Sequence, residues 1–191
     1  MNELWTIFIG MALVNNIVLV QFLGLCPFFG VSKRLNTAVG MGLLVTLIML
    51  VMAAAGWLID NYILAPLHTG YLNIMAYVLV IAGLVKLVDT YLKRVNRSLY
   101  SSLGIYLALV TTNCAVLGIA LLNNDFGYSF MQSLVSALGA GLGFTLVLVV
   151  MSGIRQRLEL ADCPRSLKGL PLAFISAGLL ALALYGLTGT V

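Results

Sequence analysis

Six apolar runs, each long enough to cross a membrane, divide this chain and leave only short connections between them. They cover residues 5–29, 38–58, 72–92, 99–122, 130–153 and 171–190. A hydrocarbon core of about 30 Å is crossed by about 20 helical residues, so each run is a candidate span. The alternation of a membrane strand is absent, so the backbone in lipid must be satisfied within helices. Only 8% of the 191 residues are charged, and the mean hydropathy is +1.10. A soluble domain carries about 25% charged residues, so this composition cannot clothe a water-facing surface. A soluble enzyme, a nucleic-acid reader and a disordered tail are excluded. The expectation is an all-α integral membrane protein, with residues 1–191 as a single membrane domain in the lipid bilayer.

The first run follows Met1-Asn2-Glu3 rather than a basic segment and shows no small-residue cleavage site. It is expected to stay as a span rather than be removed as a signal. Ten Lys and Arg against six Asp and Glu give a net charge of +4, and their placement orients the chain. Lys33 and Arg34 lie between the first two runs; Lys93, Arg94 and Arg97 lie between the third and fourth. Arg155, Arg157, Arg165 and Lys168 lie between the fifth and sixth, and Lys86 ends the third run on the same side. The other loops and both termini hold no Lys or Arg; they carry Glu3, Asp60, His68 and Asp125. Basic loops collect in the cytoplasm, so both termini are expected to be periplasmic in a bacterial inner membrane.

Three spans per half give the second half the opposite orientation to the first, and the halves share a pattern. Leu25-Cys26-Pro27-Phe28-Phe29-Gly30-Val31-Ser32 parallels Asn113-Cys114-Ala115-Val116-Leu117-Gly118-Ile119-Ala120. Ala38-Val39-Gly40-Met41-Gly42 parallels Ala137-Leu138-Gly139-Ala140-Gly141 after a longer connection. Such internal similarity marks an inverted-topology repeat. The expected architecture is six transmembrane helices, three plus three, with repeat one at about 1–95 and repeat two at about 96–191.

Three cysteines form no even-numbered disulfide framework. Cys26 stands ten residues before Asn36, and Cys114 stands ten before Asn124. At about 1.5 Å per residue each lies roughly 15 Å from the polar end of its segment, counted from opposite faces. Both thiols are therefore expected near the midplane. Gly24, Pro27 and Gly30 crowd Cys26, and the polar Thr111, Thr112 and Asn113 precede Cys114. These point to broken helices one and four, the usual makers of a working site at a repeat interface. Two such thiols can simply pack, since cysteine behaves as a small hydrophobe. They can also ligate. Zinc needs four ligands, and no His or carboxylate lies at matching depth. A 2Fe–2S cluster takes four Cys, so a second chain would have to complete it. Cys163, beside Pro164 in a basic loop, is expected to be a free reduced thiol without a role.

The stretch VNNIVLVQFLGLCPFFGVSK at 14–33 resembles the first-helix signature of the RnfA family, also called RsxA, from the Rnf complex. LALVTTNCAVLGIALLN at 107–123 resembles the fourth-helix signature of the same family. The superfamily includes RnfA and RnfE together with NqrD and NqrE of the sodium-pumping NADH:quinone reductase. Asn15-Asn16 and Cys26-Pro27 favour the RnfA pattern over the NqrE pattern of Glu-Asn and Cys-Thr. The resemblance covers the whole chain. It implies a six-helix inverted repeat paired with RnfE, with RnfB, RnfC, RnfD and RnfG in the same complex. It further implies that Cys26 and Cys114 supply half the ligands of a 2Fe–2S cluster, the other two cysteines coming from the partner. The family moves electrons between ferredoxin and NAD, coupled to Na⁺ or H⁺ transport, so this chain would be one component of a translocase and not catalytic alone. Thr111, Thr112 and Asn113 would be candidates for hydrogen bonds to the sulfurs.

Other features have plainer readings. Gly40–Gly42 and Gly139–Gly143 lie inside apolar spans and are not dinucleotide fingerprints; close helix packing explains Gly139 and Gly143 better. Asn15, Asn16 and Asn113 could line an ion path, and interhelical hydrogen bonds are the simpler account. Lys86 and Asp89 suit a surface pair, and His68 a solvated loop. Two rival functions stay in view: a small secondary transporter binding a solute at the midplane, and a structural membrane component whose cysteines only pack.

Overall fold

The computed structural model describes residues 2–32, 35–59, 61–62, 75, 78–80, 82–83, 86–87, 90, 113–159 and 169–188. Regular structure among them is helical, with no strand. Helix α1 (Asn2–Ile9) runs into a π-helical turn (Gly10–Val14), and the chain then leaves helical geometry until α2 (Leu25–Val31). After α3 (Leu35–Ile59), the next described helices are α4 (Cys114–Asp125), α5 (Phe130–Glu159) and α6 (Leu170–Thr188). The first apolar run is thus broken as expected. In the fourth, helix starts at Cys114 behind an extended Asn113, while 99–112 lie outside the described residues, as do most of the third run and residues 91–98.

Helices α3 and α5, at 25 and 30 residues, are long and apolar enough to span a membrane. They pack on each other more extensively than any other described pair. Setting Ala38 on Ala137 and Met52 on Met151 matches eight of fifteen residues, and burial follows the same register. Val39, Leu43, Leu47 and Val51 form an exposed stripe on α3; Leu138, Leu142, Leu146 and Val150 form its counterpart on α5. Spacing by four places each stripe along one helix face, as a lipid-facing surface requires.

At the crossing the contacts are reciprocal. A Cβ built on Gly42 would stand 2.5 Å from Thr145 Oγ1, and one on Gly141 would stand 2.6 Å from Thr46 Cγ2. Thr46 Oγ1 donates to the Gly42 carbonyl at 2.7 Å, and Thr145 Oγ1 donates to the Gly141 carbonyl at 2.8 Å. Each threonine satisfies its hydroxyl on its own helix while its bulk fills the glycine notch opposite. Further along α5, Gly139 and Gly143 admit the backbone of α1 and the π turn: their Cβ positions fall 2.7 Å from the Phe8 carbonyl oxygen and 2.5 Å from that of Ala12. The close-packing account of this glycine pair therefore holds.

Local chemistry sets the helix ends near the site. Helix α4 stops in a Schellman turn: Gly127 (φ +59°) donates to the Asn124 carbonyl and Tyr128 donates to the Asn123 carbonyl. At the start of helix α5 the Ser129 N–H is held by Gln132 Oε1 at 2.9 Å, one of the two bonds of a capping box.

Candidate cysteine site

The break in the first run brings the two cysteine-bearing helices together. Gly24 ends the break in the left-handed region (φ +85°), where glycine carries no Cβ penalty. A Cβ there would meet Phe144 Cε2 at 2.9 Å and Ala115 Cβ at 3.1 Å. Its N–H donates to Cys114 Sγ at 2.9 Å, from 90 residues away in the chain. Cys114 is the first residue of α4 and half-buried, whereas Cys26 is the second residue of α2 and exposed. Both are free thiols.

Both cysteines therefore sit in the first turn of a helix, where backbone N–H groups lack intrahelical partners. That end of a helix favours negative charge, and a thiolate is the form that ligates metal. Pro27, third in α2, costs no hydrogen bond in a first turn. The break lies upstream of Cys26, not at Pro27 or Gly30.

Asn113 caps α4: its Oδ1 accepts from the Ala115 N–H at 3.1 Å, while its buried Nδ2 has no partner among the described residues. Asn16 works the same way, with Oδ1 on the Val18 N–H and Nδ2 on the Ala12 carbonyl, both at 3.1 Å. These local bonds replace the interhelical ones expected from sequence, because each Asn stands where a helix begins or ends and backbone groups are unpaired. Asn15 is exposed on the same turn, and its N–H returns to the Gly10 carbonyl at 2.6 Å. The hydrogen bonds described for Asn16 go to Ala12 and Val18 and not to either cysteine. Thr111, Thr112, Cys163, His68 and Asp89 lie outside the described residues.

Two expectations are corrected. The depth expected for Cys26 requires continuous helix to Asn36, but α2 ends at Val31 and Asn36 belongs to the first turn of α3. The requirement is met for Cys114, whose helix runs to Asp125. Arg155, expected in a loop, lies inside α5 and is 9% exposed. One of its terminal nitrogens donates to the Phe29 carbonyl and to Ser32 Oγ, each at 2.8 Å. It clamps the end of the half-helix that carries Cys26. Its position just past an apolar run was the only available hint.

As a ligand set the site is half of one. Two soft thiols suit iron or zinc, and the N–H bond to Cys114 Sγ is of the kind that tunes a cluster sulfur. Among the described residues no three of His, Cys, Asp or Glu gather closely enough to hold a metal. A tetrathiolate centre thus fits only if further ligands are supplied, and Cys26 is exposed where it can meet them.

Over residues 4–191 the chain matches the family described as "Rnf-Nqr subunit, membrane protein". It is 51% identical to a Syntrophotalea carbinolica protein whose name makes it the A-type component of an ion-translocating oxidoreductase complex, covering all of this chain and 99% of that one. Proteins of the same name from Aromatoleum aromaticum and Vibrio vulnificus are 49% and 48% identical, covering all of this chain and 99% and 100% of theirs.

Proposed function

The chain belongs to the Rnf-Nqr family of membrane subunits, and from that premise we propose that it serves as the RnfA-type component of an ion-translocating oxidoreductase complex. It is one part of a translocase rather than an enzyme alone. In this reading the chain spans the bacterial inner membrane six times as an inverted repeat of three plus three, with both termini periplasmic. The reciprocal crossing of α3 and α5 supports the repeat, and the one-sided placement of Lys and Arg supports the orientation. The relatives' shared name favours this reading over a component of the sodium-pumping quinone reductase or a solute transporter.

Cys26 and Cys114 would hold one side of a 2Fe–2S cluster, with two cysteines of RnfE completing it. When bound, the cluster supplies one-electron transfer between carriers on the two sides of the membrane. The bond from the Gly24 N–H to Cys114 Sγ is the observation that carries this assignment. It ties the start of one cysteine helix to the sulfur on the other. Asn113 fixes the first turn around Cys114, and Arg155 fixes the far end of α2.

Co-expression with RnfE tests this, with iron content and the reduced-state EPR spectrum as readouts. A two-iron signal that disappears in Cys26→Ser and in Cys114→Ser is the expected result. Iron-free wild-type complex from cells with working cluster assembly would overturn it.

A further inference from the structure

A cavity of about 220 Å³ lies where the C-terminal ends of α3 and α4 meet the start of α5. Its walls include Trp57, Asn61, Asn123, Asn124, Tyr128 and Ser133, with no ionised side chain among the described lining. Asn123 is 7% exposed. Its amide nitrogen donates to the Ser133 carbonyl at 3.4 Å, and its Oδ1 is buried with no hydrogen-bond partner among the described residues. A buried acceptor left so is costly unless something occupies the space beside it.

The surroundings select the sign of that occupant. Two helices end here and one begins, so two negative helix ends outweigh one positive end. The Asn123 carbonyl spends one lone pair on the Schellman turn, accepting from the Tyr128 N–H, and keeps another. The rings of Trp57 and Tyr128 line the same cavity, and aromatic rings attract cations. Neutral oxygens without carboxylate, imidazole or thiol do not suit calcium or a transition metal. Amide oxygens and helix C-terminal carbonyls are what hold Na⁺ in broken-helix transporters.

We propose that this cavity binds one alkali-metal cation, with Asn123 Oδ1 as a ligand. Cys114 opens α4 and Asn123 stands nine residues on, about 14 Å along the helix, so this site is separate from the cysteines. It lies at the end of α5 opposite Arg155 and Arg157, the outward end in the orientation proposed above. The ion site does not depend on Cys26 and Cys114 holding a cluster.

Hydrogen–deuterium exchange on the assembled complex tests it, reading peptides that cover 53–62 and 117–133. The complex would be titrated with NaCl and with KCl against choline chloride at equal ionic strength. Saturable slowing of exchange with an alkali cation but not choline is expected. That slowing should be lost in Asn123→Leu, while Asn123→Asp should retain it with a midpoint at lower salt. Identical exchange in all three salts would mean that the cavity holds only water, and the proposal would fall. Slowing that survives Asn123→Leu would place the ion elsewhere and overturn it equally. Should Asn123→Leu fail to assemble, Asn123→Asp decides, and an unmoved midpoint is the overturning result.

Discussion

Single atoms at Gly24 and Asn113 hold the cysteine site together, and each can be changed alone. Gly24→Ala would force a side chain into the left-handed region and push its Cβ to 2.9 Å from the Phe144 ring. The backbone strain alone costs about 1–3 kcal/mol, so the melting temperature of the purified complex should fall clearly. Asn113→Ala removes the cap of α4, a loss of about 1 kcal/mol. The first turn should fray, and Cys114 should react faster with a maleimide while Cys26 keeps its rate. The cysteines and Asn113 were legible in the sequence because they are sulfur or polar groups inside apolar runs. The role of Gly24 was not, because it acts through a backbone N–H on a partner 90 residues away. No side-chain pattern encodes that bond.

At the scale of elements, the α3–α5 crossing makes its own prediction. Gly42→Ala should destabilise the complex by about 1–3 kcal/mol through overpacking against Thr145. Thr145→Ala removes the two nearest atoms and should recover part of that loss, so the two changes should be non-additive in a double-mutant cycle of melting temperatures. Gly141→Ala with Thr46→Ala should behave alike, given the mirrored contacts. At the other end of α5, Arg155→Gln deletes two bonds from a charged donor, each worth about 1.5–3 kcal/mol. Faster amide exchange in residues 28–32 is the expected readout, with Arg155→Lys intermediate. The apolar runs announced α3, α5 and α6 to within a few residues. The π turn and the break at 15–24 were not locatable, since Val14, Ile17 and Leu19 continue the apolar pattern straight through them. Hydropathy reports burial, and it does not say where a buried chain abandons its helix.

Over the whole molecule, the exposed stripes on α3 and α5 give the chain an apolar exterior that lipid or another apolar membrane subunit must cover. Leu47→Lys, at the centre of the α3 stripe, should reduce membrane insertion. Charged residues at a span centre cost about 2.5–3.5 kcal/mol on the insertion scale, so the integrated fraction measured by alkaline extraction should drop sharply. Orientation has a separate test. Ser129 and Arg157 stand exposed near opposite ends of α5. An impermeant maleimide should label Ser129→Cys in intact spheroplasts and Arg157→Cys only after lysis, above the background of the unaltered chain; the reverse pattern would invert the topology. The proposed orientation rests on the placement of Lys and Arg alone.

The bond between Gly24 and Cys114 also sets a timetable for making the protein. The donor leaves the ribosome 90 residues before its acceptor, which at 5–20 residues per second is an interval of roughly 5–18 s. Through that interval the interrupted first run sits in the membrane with an amide that has nothing to bind, and the glycine notch of α3 waits for a threonine not yet translated. A chain halted after α3 is therefore left with an open polar seam in hydrocarbon, the kind of lesion that membrane insertases shield and membrane proteases remove.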